Sequence, residues 1–169
     1  FSGIDPQLAQ RYGLAGDCQI CAGTTDANAA FIATQASRLG DAVTSLGSTL
    51  VVKILNDKPI QNLANGVYSH KLGQYWLSGG ASNAGAAILR RYFSDQQLAD
   101  YSRLIDLDHP TGLDYYPLPA AGERFPVADP CKQPVVTPRP ASDVVFLQAL
   151  LEGLTNIEKT AYQKLAELG

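Results

Sequence analysis

The segment that most constrains the fold runs from residue 41 to residue 55 and carries two β-rich halves around a short turn. Valine, leucine, isoleucine and threonine are frequent in the two halves, whereas the turn contains Gly47 among hydroxyl-bearing residues. β-Branched residues on both sides of a Ser/Gly cluster predict a hairpin with a tight turn. The chain is therefore expected to contain at least one antiparallel pair of strands.

Strand-type and helix-type segments alternate along the rest of the chain. Strands are predicted at residues 18–23, 68–72 and 74–78, and shorter ones near 124–127 in a proline-rich tract at 106–141. Helices are predicted at residues 6–11, 27–35, 84–93 and 95–104, and the apolar spacing of residues 144–168 predicts a long final helix. This alternation predicts an α/β fold.

Composition excludes several classes of protein. The chain has 169 residues, 46% hydrophobic and 17% charged, which suits one globular domain. Its net charge is −3 and it has no basic block, so nucleic acid is not expected as a partner. No apolar run is long enough to span a bilayer and no leader peptide is visible, so we expect a cytoplasmic protein without a membrane partner. The chain also has no methionine, so we expect a piece of something longer.

The three cysteines, Cys18, Cys21 and Cys131, do not form a recognisable metal or redox site. Cys18 and Cys21 have Cys-x-x-Cys spacing, but the sequence has no second pair of zinc ligands. A redox pair would begin a helix, whereas these two lie in a predicted buried strand. We therefore expect them to be small apolar residues of the core.

Two glycine-rich segments are candidates for nucleotide binding. The turn at residues 44–49 can direct backbone N–H groups and hydroxyls at a phosphate, although it lacks the lysine of a Walker A loop. A Ser/Gly turn can equally be a plain turn. Residues 79–87 lead into a predicted helix, where glycine permits either close approach of a flat ligand or tight packing of the helix on the sheet.

Asp26 is the sharpest candidate for a reactive group. It follows a predicted buried strand and two threonines, and it precedes the alanine-rich helix at residues 27–35. A carboxylate in that position can act as a general base or face a metal ion. An aspartate before a helix is also a common N-cap, and the two roles do not exclude each other.

Three motifs in a fixed order give the chain its resemblance to a known family. The first is Gly23-Thr24-Thr25-Asp26, the second is the turn at 44–49, the third spans residues 79–87, and a helix containing Leu151-Glu152-Gly153 follows. In this order they resemble the C-terminal half of the FGGY family of carbohydrate kinases. Residues 76–83 and the Leu-Glu-Gly helix are most similar to the ribulose and xylulose kinase branch.

The resemblance implies a fold, a reaction and residue roles. The fold is an actin-like ATPase (ribonuclease H-like) α/β domain with a mixed sheet and flanking helices, present here in incomplete form. Asp26 matches the catalytic base that takes the proton of the attacking sugar hydroxyl. The residues that match the nucleotide site are Gly47, Ser48 and Thr49 in the second phosphate loop, and Gly80 and Gly85 in the pocket lining. ATP and Mg²⁺ are implied, with no metal ligand assigned to this chain.

The same resemblance implies that residues 1–169 are part of the C-terminal, nucleotide-binding domain of a two-domain sugar kinase. The N-terminal sugar-binding domain has no counterpart in the chain and would be its partner, besides sugar and ATP. We expect the whole protein to phosphorylate a pentulose such as D-ribulose or D-xylulose, and this part alone to be inactive. Two alternatives stay open: a non-catalytic or regulatory domain from a truncated paralogue, and a small ATPase of the same superfamily with another client.

Overall fold

The computed structural model describes residues 2–21 and 23–169, which form two compact units, Phe1–Gln35 and Ala36–Gly169. The first unit contains a small antiparallel sheet and two helices. These elements are β1 (Ser2–Gly3), α1 (Pro6–Tyr12), β2 (Gln19–Ile20) and α2 (Asp26–Ala33). The two predicted helices are confirmed within about two residues at each end, the usual spread of helix boundaries.

Capping explains where helix α1 begins and ends. The side chain of Asp5 accepts hydrogen bonds from the N–H groups of Gln7 and Leu8, and Pro6 occupies the first helical position. Gly13 ends the helix in a left-handed conformation, with φ of 63°, which glycine adopts without strain. These local signals are fully visible in the sequence.

The predicted burial of the strand at residues 18–23 is wrong. β2 contains only Gln19–Ile20, both exposed, and Ala22 of the same prediction lies outside the described residues. Cys18 is half-buried and Cys21 is exposed, so the expectation that both belong to the core is also wrong. The ladder with β1 has two residue pairs, which is too short to enclose the neighbouring side chains.

The second unit is built on a four-stranded antiparallel sheet with the order β3-β4-β6-β5. Its strands are β3 (Ala42–Leu46), β4 (Leu50–Asn56), β5 (Tyr68–Leu72) and β6 (Tyr75–Ala81). Both predicted hairpins are confirmed. Strand β6 runs three residues past the predicted end at Ser78, so Gly79 and Gly80 lie inside a central strand and not in a loop. All strand pairs in residues 2–21 and 23–169 are antiparallel, without the parallel pairing of a mixed sheet.

Helical segments of the second unit follow the sheet. They are short 3₁₀-helices at Leu63–Asn65 and Ala86–Arg91, α3 (Asp95–Ser102) and α4 (Asp143–Leu168). The predicted capping box of α3 is confirmed, since the side chains of Ser94 and Gln97 each bond the other's backbone N–H. The helix predicted at 84–93 is a six-residue 3₁₀-helix, and Gly85 before it makes no side-chain capping bond. No helix in the described part of the chain combines the length and apolarity needed to cross a bilayer.

Residues 106–141 form an irregular tract. Two isolated antiparallel bridges, Tyr116 with Val135 and Glu123 with Asp129, are its regular pairings in the described structure. The strand predicted near 124–127 is therefore wrong. Pro126 has no N–H to donate, which interrupts a ladder at that point.

Helix α4 contributes side chains to three buried clusters. The first joins its start to the 3₁₀-helix that follows Gly85, the second joins its middle to Ala84 and Leu118, and the third joins its end to β4 and Phe125. The α4 residues involved are Phe146, Leu147, Ala149, Leu150, Leu154, Ile157, Ala161 and Leu165. Among them, Leu147, Leu150, Leu154, Ile157, Ala161 and Leu165 recur every three or four residues, as expected for the predicted apolar stripe.

Polar contacts from α4 also hold the irregular tract. The buried Gln148 amide donates to the carbonyls of Asp106, at 2.7 Å, and His109, at 3.0 Å. One turn later, Glu152 accepts the N–H and the hydroxyl of Thr111. Gly153 lets the tract pass so closely that an added Cβ would lie 2.7 Å from the Tyr115 carbonyl oxygen.

The α4 stripe generates a stability prediction. Leu150 is fully buried, so Leu150→Ala is expected to lower the free energy of unfolding by about 2–5 kcal/mol through lost burial and a cavity. Val145 on the same helix is 36% exposed, and Val145→Ala is expected to change the free energy of unfolding by less than about 0.5 kcal/mol. Urea denaturation of both variants measures the difference, and equal losses would contradict this assignment of the core.

Candidate functional site

Backbone hydrogen bonds join the β3–β4 turn at residues 47–49 to the segment that leaves β6. Leu50 N–H donates to the Ala84 carbonyl at 2.7 Å, and Ser82 N–H donates to the Leu50 carbonyl at 2.8 Å. The Ala86 N–H donates to the Gly47 carbonyl at 2.8 Å. The structure therefore brings the two predicted glycine-rich segments together into one surface.

Gly85 allows the closest contact within this surface. A Cβ added there would lie 2.3 Å from the Ser48 carbonyl oxygen and 2.5 Å from the Thr49 Cα. Real Cβ atoms do not approach backbone that closely, so another residue at this position would push the turn away. Gly47 is different, because its added Cβ would meet only the Thr49 carbonyl oxygen, at 3.7 Å.

The turn presents hydrogen-bond donors to the surroundings. Ser48 is exposed and Thr49 is half-buried. Within residues 2–21 and 23–169, neither their backbone N–H groups nor their hydroxyls have a hydrogen-bond partner. Two adjacent amide N–H groups with two hydroxyls form a set of donors that suits an anion, phosphate above all.

Gly80 occupies a different environment from the turn. It pairs with Val52 in the middle of the sheet, and an added Cβ would lie 2.7 Å from the ring of Phe125. The absence of a side chain thus allows an aromatic ring to lie directly on β6. This matches the packing alternative for residues 79–87, and a nucleotide contact by Gly80 stays a prediction.

Glu123 is a buried carboxylate beside this surface, and the sequence analysis missed it. The Ser82 hydroxyl donates to its Oε2 at 2.6 Å, and the Asn83 N–H donates to its Oε1 at 2.7 Å. The Tyr116 hydroxyl, at 3.0 Å, and the Arg124 N–H, at 2.9 Å, donate to the same two oxygens. Four donors satisfy the carboxylate, although Glu123 is only 4% exposed.

The electrostatics around Glu123 keep Tyr116 in its protonated form. Burial raises the pKa of the Tyr116 phenol, and the charge of Glu123 and the hydrogen bond between them raise it further. The Lys132 ammonium lies 4.2 Å from the centre of the Tyr116 ring, on its face. The phenol therefore remains a hydrogen-bond donor to Glu123 across the neutral pH range.

Asp26 lies in the first unit and is the first residue of α2. Thr25 is the N-cap, with its hydroxyl 3.4 Å from the Asn28 N–H, so the capping role considered for Asp26 belongs to its neighbour. The carboxylate of Asp26 is exposed and accepts the N–H of Ala27 at 2.7 Å. Asp26 therefore remains available to solvent or to a ligand.

Two other helices begin in the same way as α2, which allows a comparison. Asp95 and Asp143 also follow a hydroxyl N-cap. Asp95 pairs with Arg90 at 2.9 Å, and Asp143 pairs with Arg139 at 2.6 Å. Asp26 has no such ion pair within the part of the chain that the structure describes.

A metal site of side chains alone is not found among the described residues. No group of three or more histidine, cysteine, aspartate or glutamate side chains in that part of the chain could hold an ion.

Comparison with known proteins identifies the fold. No protein-family model matches the amino-acid sequence of the chain. Solved structures do match it: a xyloylose kinase from Brucella ovis with a TM-score of 0.75 and 22% identity, and a ligand-bound xylulose kinase from Lactobacillus acidophilus with 0.73 and 18%. A gluconate kinase from Lactobacillus acidophilus matches with 0.72 and 17%.

The coverage of these matches is uneven. They include 100%, 95% and 95% of this chain, but only 36%, 34% and 35% of the three solved chains. The chain thus spans about a third of the length of the structures it matches. At these identities the likeness is one of fold: this chain has the fold of the matching part of these kinase structures, and the predicted fold class is confirmed.

The contact between Gly85 and the turn predicts that alanine is tolerated less well at position 85 than at position 47. Gly85→Ala is expected to lower the free energy of unfolding by about 1–3 kcal/mol, because the turn must move to admit the methyl group. Gly47→Ala serves as the control, since its methyl group makes only an ordinary contact with the Thr49 carbonyl oxygen, and a loss below about 0.5 kcal/mol is expected. Denaturant titration compares them, and a larger loss for Gly47→Ala would contradict the packing described here.

Proposed function

We propose that this chain is the nucleotide-binding part of a longer kinase that transfers phosphate from ATP to a sugar hydroxyl. The observation that carries the proposal is the turn at residues 47–49, which lies against residues 82–86 in a fold shared with sugar kinases and whose donors have no partner among the described residues. The fold supports phosphate transfer to a sugar as the reaction, and the donors of the turn are suited to bind a phosphate group.

Phosphate binding at the turn follows from the donors present. In this proposal the N–H groups of Ser48 and Thr49 and their hydroxyls surround the oxygens of the transferring phosphate, and Gly85 keeps the turn close to the sheet. Bound Mg²⁺ neutralises developing phosphate charge in such reactions. Phosphate oxygens and water are its usual ligands, and we assign none of this chain's side chains to it.

Asp26 is the proposed general base. A sugar hydroxyl is too weak an acid to ionise at neutral pH, so a base must take its proton as the oxygen–phosphorus bond forms. Among the residues that the structure describes, the exposed carboxylate of Asp26 has no arginine partner, unlike Asp95 and Asp143, which supports its assignment as the proton acceptor.

The proposed substrate is a pentulose such as D-ribulose or D-xylulose. The likeness of residues 76–83 and of the Leu-Glu-Gly helix to the ribulose and xylulose kinase branch supports this choice. Of the three solved structures compared above, one is named as a xylulose kinase, one as a xyloylose kinase and one as a gluconate kinase, so gluconate is the competing substrate in an assay. The proposed partner is the rest of the longer protein, with its sugar-binding domain. The proposed location is the cytoplasm, where ATP is available.

Replacement of the proposed base tests the reaction. In the full-length protein, Asp26→Asn is expected to lower kcat by about 10²–10⁴ without loss of ATP affinity, because the amide keeps the shape but cannot accept a proton. Thr25 still caps α2, so the cost in stability is at most about 1 kcal/mol, from the lost charge at the helix start. Steady-state kinetics and thermal melting measure the two effects.

Asp143→Asn is the matched control, since Asp143 occupies the same position after the N-cap of α4. Its kcat is expected to equal that of the unchanged enzyme. If Asp26→Asn lowers the melting temperature strongly while activity per folded molecule survives, Asp26 is a structural residue and the base lies elsewhere.

ATP binding by the chain alone separates the proposal from its alternatives. We expect the 169-residue chain to bind ATP weakly or not at all, because one phosphate turn must offset the whole entropic cost of association. Titration calorimetry on this chain and on the full-length protein makes the comparison. Micromolar affinity of the chain alone would favour a self-contained ATPase.

A further inference from the structure

We propose that Glu123 is a positioning residue for the phosphate-binding turn at residues 47–49. This inference rests on the proposed function, because it assigns Glu123 to the site where ATP would bind. Glu123 itself does not touch the turn. It acts through residues 82–86, which lie between them.

The first step is the attachment of Glu123 to that intervening segment. Its Oε1 accepts the Asn83 N–H, and its Oε2 accepts the Ser82 hydroxyl, which in turn accepts the Ala84 N–H at 2.9 Å. The Asn83 side chain also donates to the Gly122 carbonyl at 3.0 Å. Three consecutive residues are thus fixed to the tract around Glu123.

The second step leads from that segment to the turn. The Ala84 carbonyl accepts the Leu50 N–H, and the Ala86 N–H donates to the Gly47 carbonyl, so hydrogen bonds hold both ends of the turn. Between them, Gly85 contacts the backbone of Ser48. A displacement of residues 82–86 therefore displaces the donors of the turn.

The third step concerns what a buried carboxylate contributes at position 123. A buried carboxylate is a poor source of net stability, because its desolvation costs about as much as its partners return. Its value lies in geometry, since four donors at 2.6–3.0 Å fix its two oxygens in one arrangement. Catalytic sites depend on such fixed geometry, and a misplacement of about 1 Å costs up to about 100-fold in rate.

The test compares two acids of the second unit in the full-length protein. Glu123→Gln keeps the size but turns an N–H₂ group toward the Ser82 and Tyr116 hydroxyls, whose protons lose their acceptor. Glu152→Gln is the matched control, because Glu152 also accepts several hydrogen bonds but bonds Thr111 and Gln148 instead of residues 82–86. Tyr116→Phe, which removes one donor and keeps the carboxylate, carries the test if Glu123→Gln does not fold.

Two readouts are used. Amide hydrogen exchange of Leu50 and Ala86 is expected to rise about tenfold in Glu123→Gln and to stay unchanged in Glu152→Gln. The KM for ATP is expected to rise about tenfold while the KM for the sugar stays constant, within the range that misplacement produces. A merely structural role would lower the amount of folded enzyme and leave both KM values unchanged.

The outcomes separate this inference from the proposed function. An active enzyme in which Glu123→Gln alters neither the exchange of these amides nor the KM for ATP overturns the inference alone, as does an equal effect of Glu152→Gln. If the unchanged protein neither binds ATP nor phosphorylates a sugar, the proposed function fails and the role of Glu123 in ATP binding fails with it. Faster exchange in Glu123→Gln would then still show a link between Glu123 and the turn.

Discussion

Burial of one side of α4 is the constraint on which the second unit depends. The helix is hydrophobic along a single stripe, and that stripe takes part in all three buried clusters. Its end packs with the β4 residues Leu50 and Val52, while its start packs with the 3₁₀-helix that follows Gly85. Because the sheet and the segment after β6 share this support, the turn between β3 and β4 has a fixed neighbour.

The candidate phosphate site is a product of that arrangement. Hydrogen bonds from Leu50, Ser82 and Ala86 extend the contact between β4 and β6 beyond the ends of the strands. Gly85 then brings two backbones closer than any side chain would permit. Backbone hydrogen bonds hold both ends of the turn that carries the Ser48 donors. Because the turn is already ordered, binding a phosphate costs less conformational entropy.

Local signals explain which features the sequence predicts correctly. The hairpin at 41–55, the capping box of α3 and the stripe of α4 depend on neighbouring residues, and the structure confirms them. Gly80 depends on the ring of Phe125 and Glu123 on Ser82, which is 41 positions away, so no local pattern places either residue. Local sequence also singled out Asp26 and the turn that contains Ser48 and Thr49, but their assigned roles as base and phosphate loop come from the family resemblance.

The close contact between the irregular tract and α4 affects how susceptible the tract is to proteolysis. Gln148 and Glu152 bind the backbone of residues 106–111, and Gly153 admits the Tyr115 carbonyl against the helix. Digestion requires a stretch of backbone that can leave its surroundings and enter an enzyme cleft. The tract lacks regular secondary structure, yet at residues 106–111 and at Tyr115 its backbone is attached to α4, so cleavage at these attached positions would require the contacts with the helix to open.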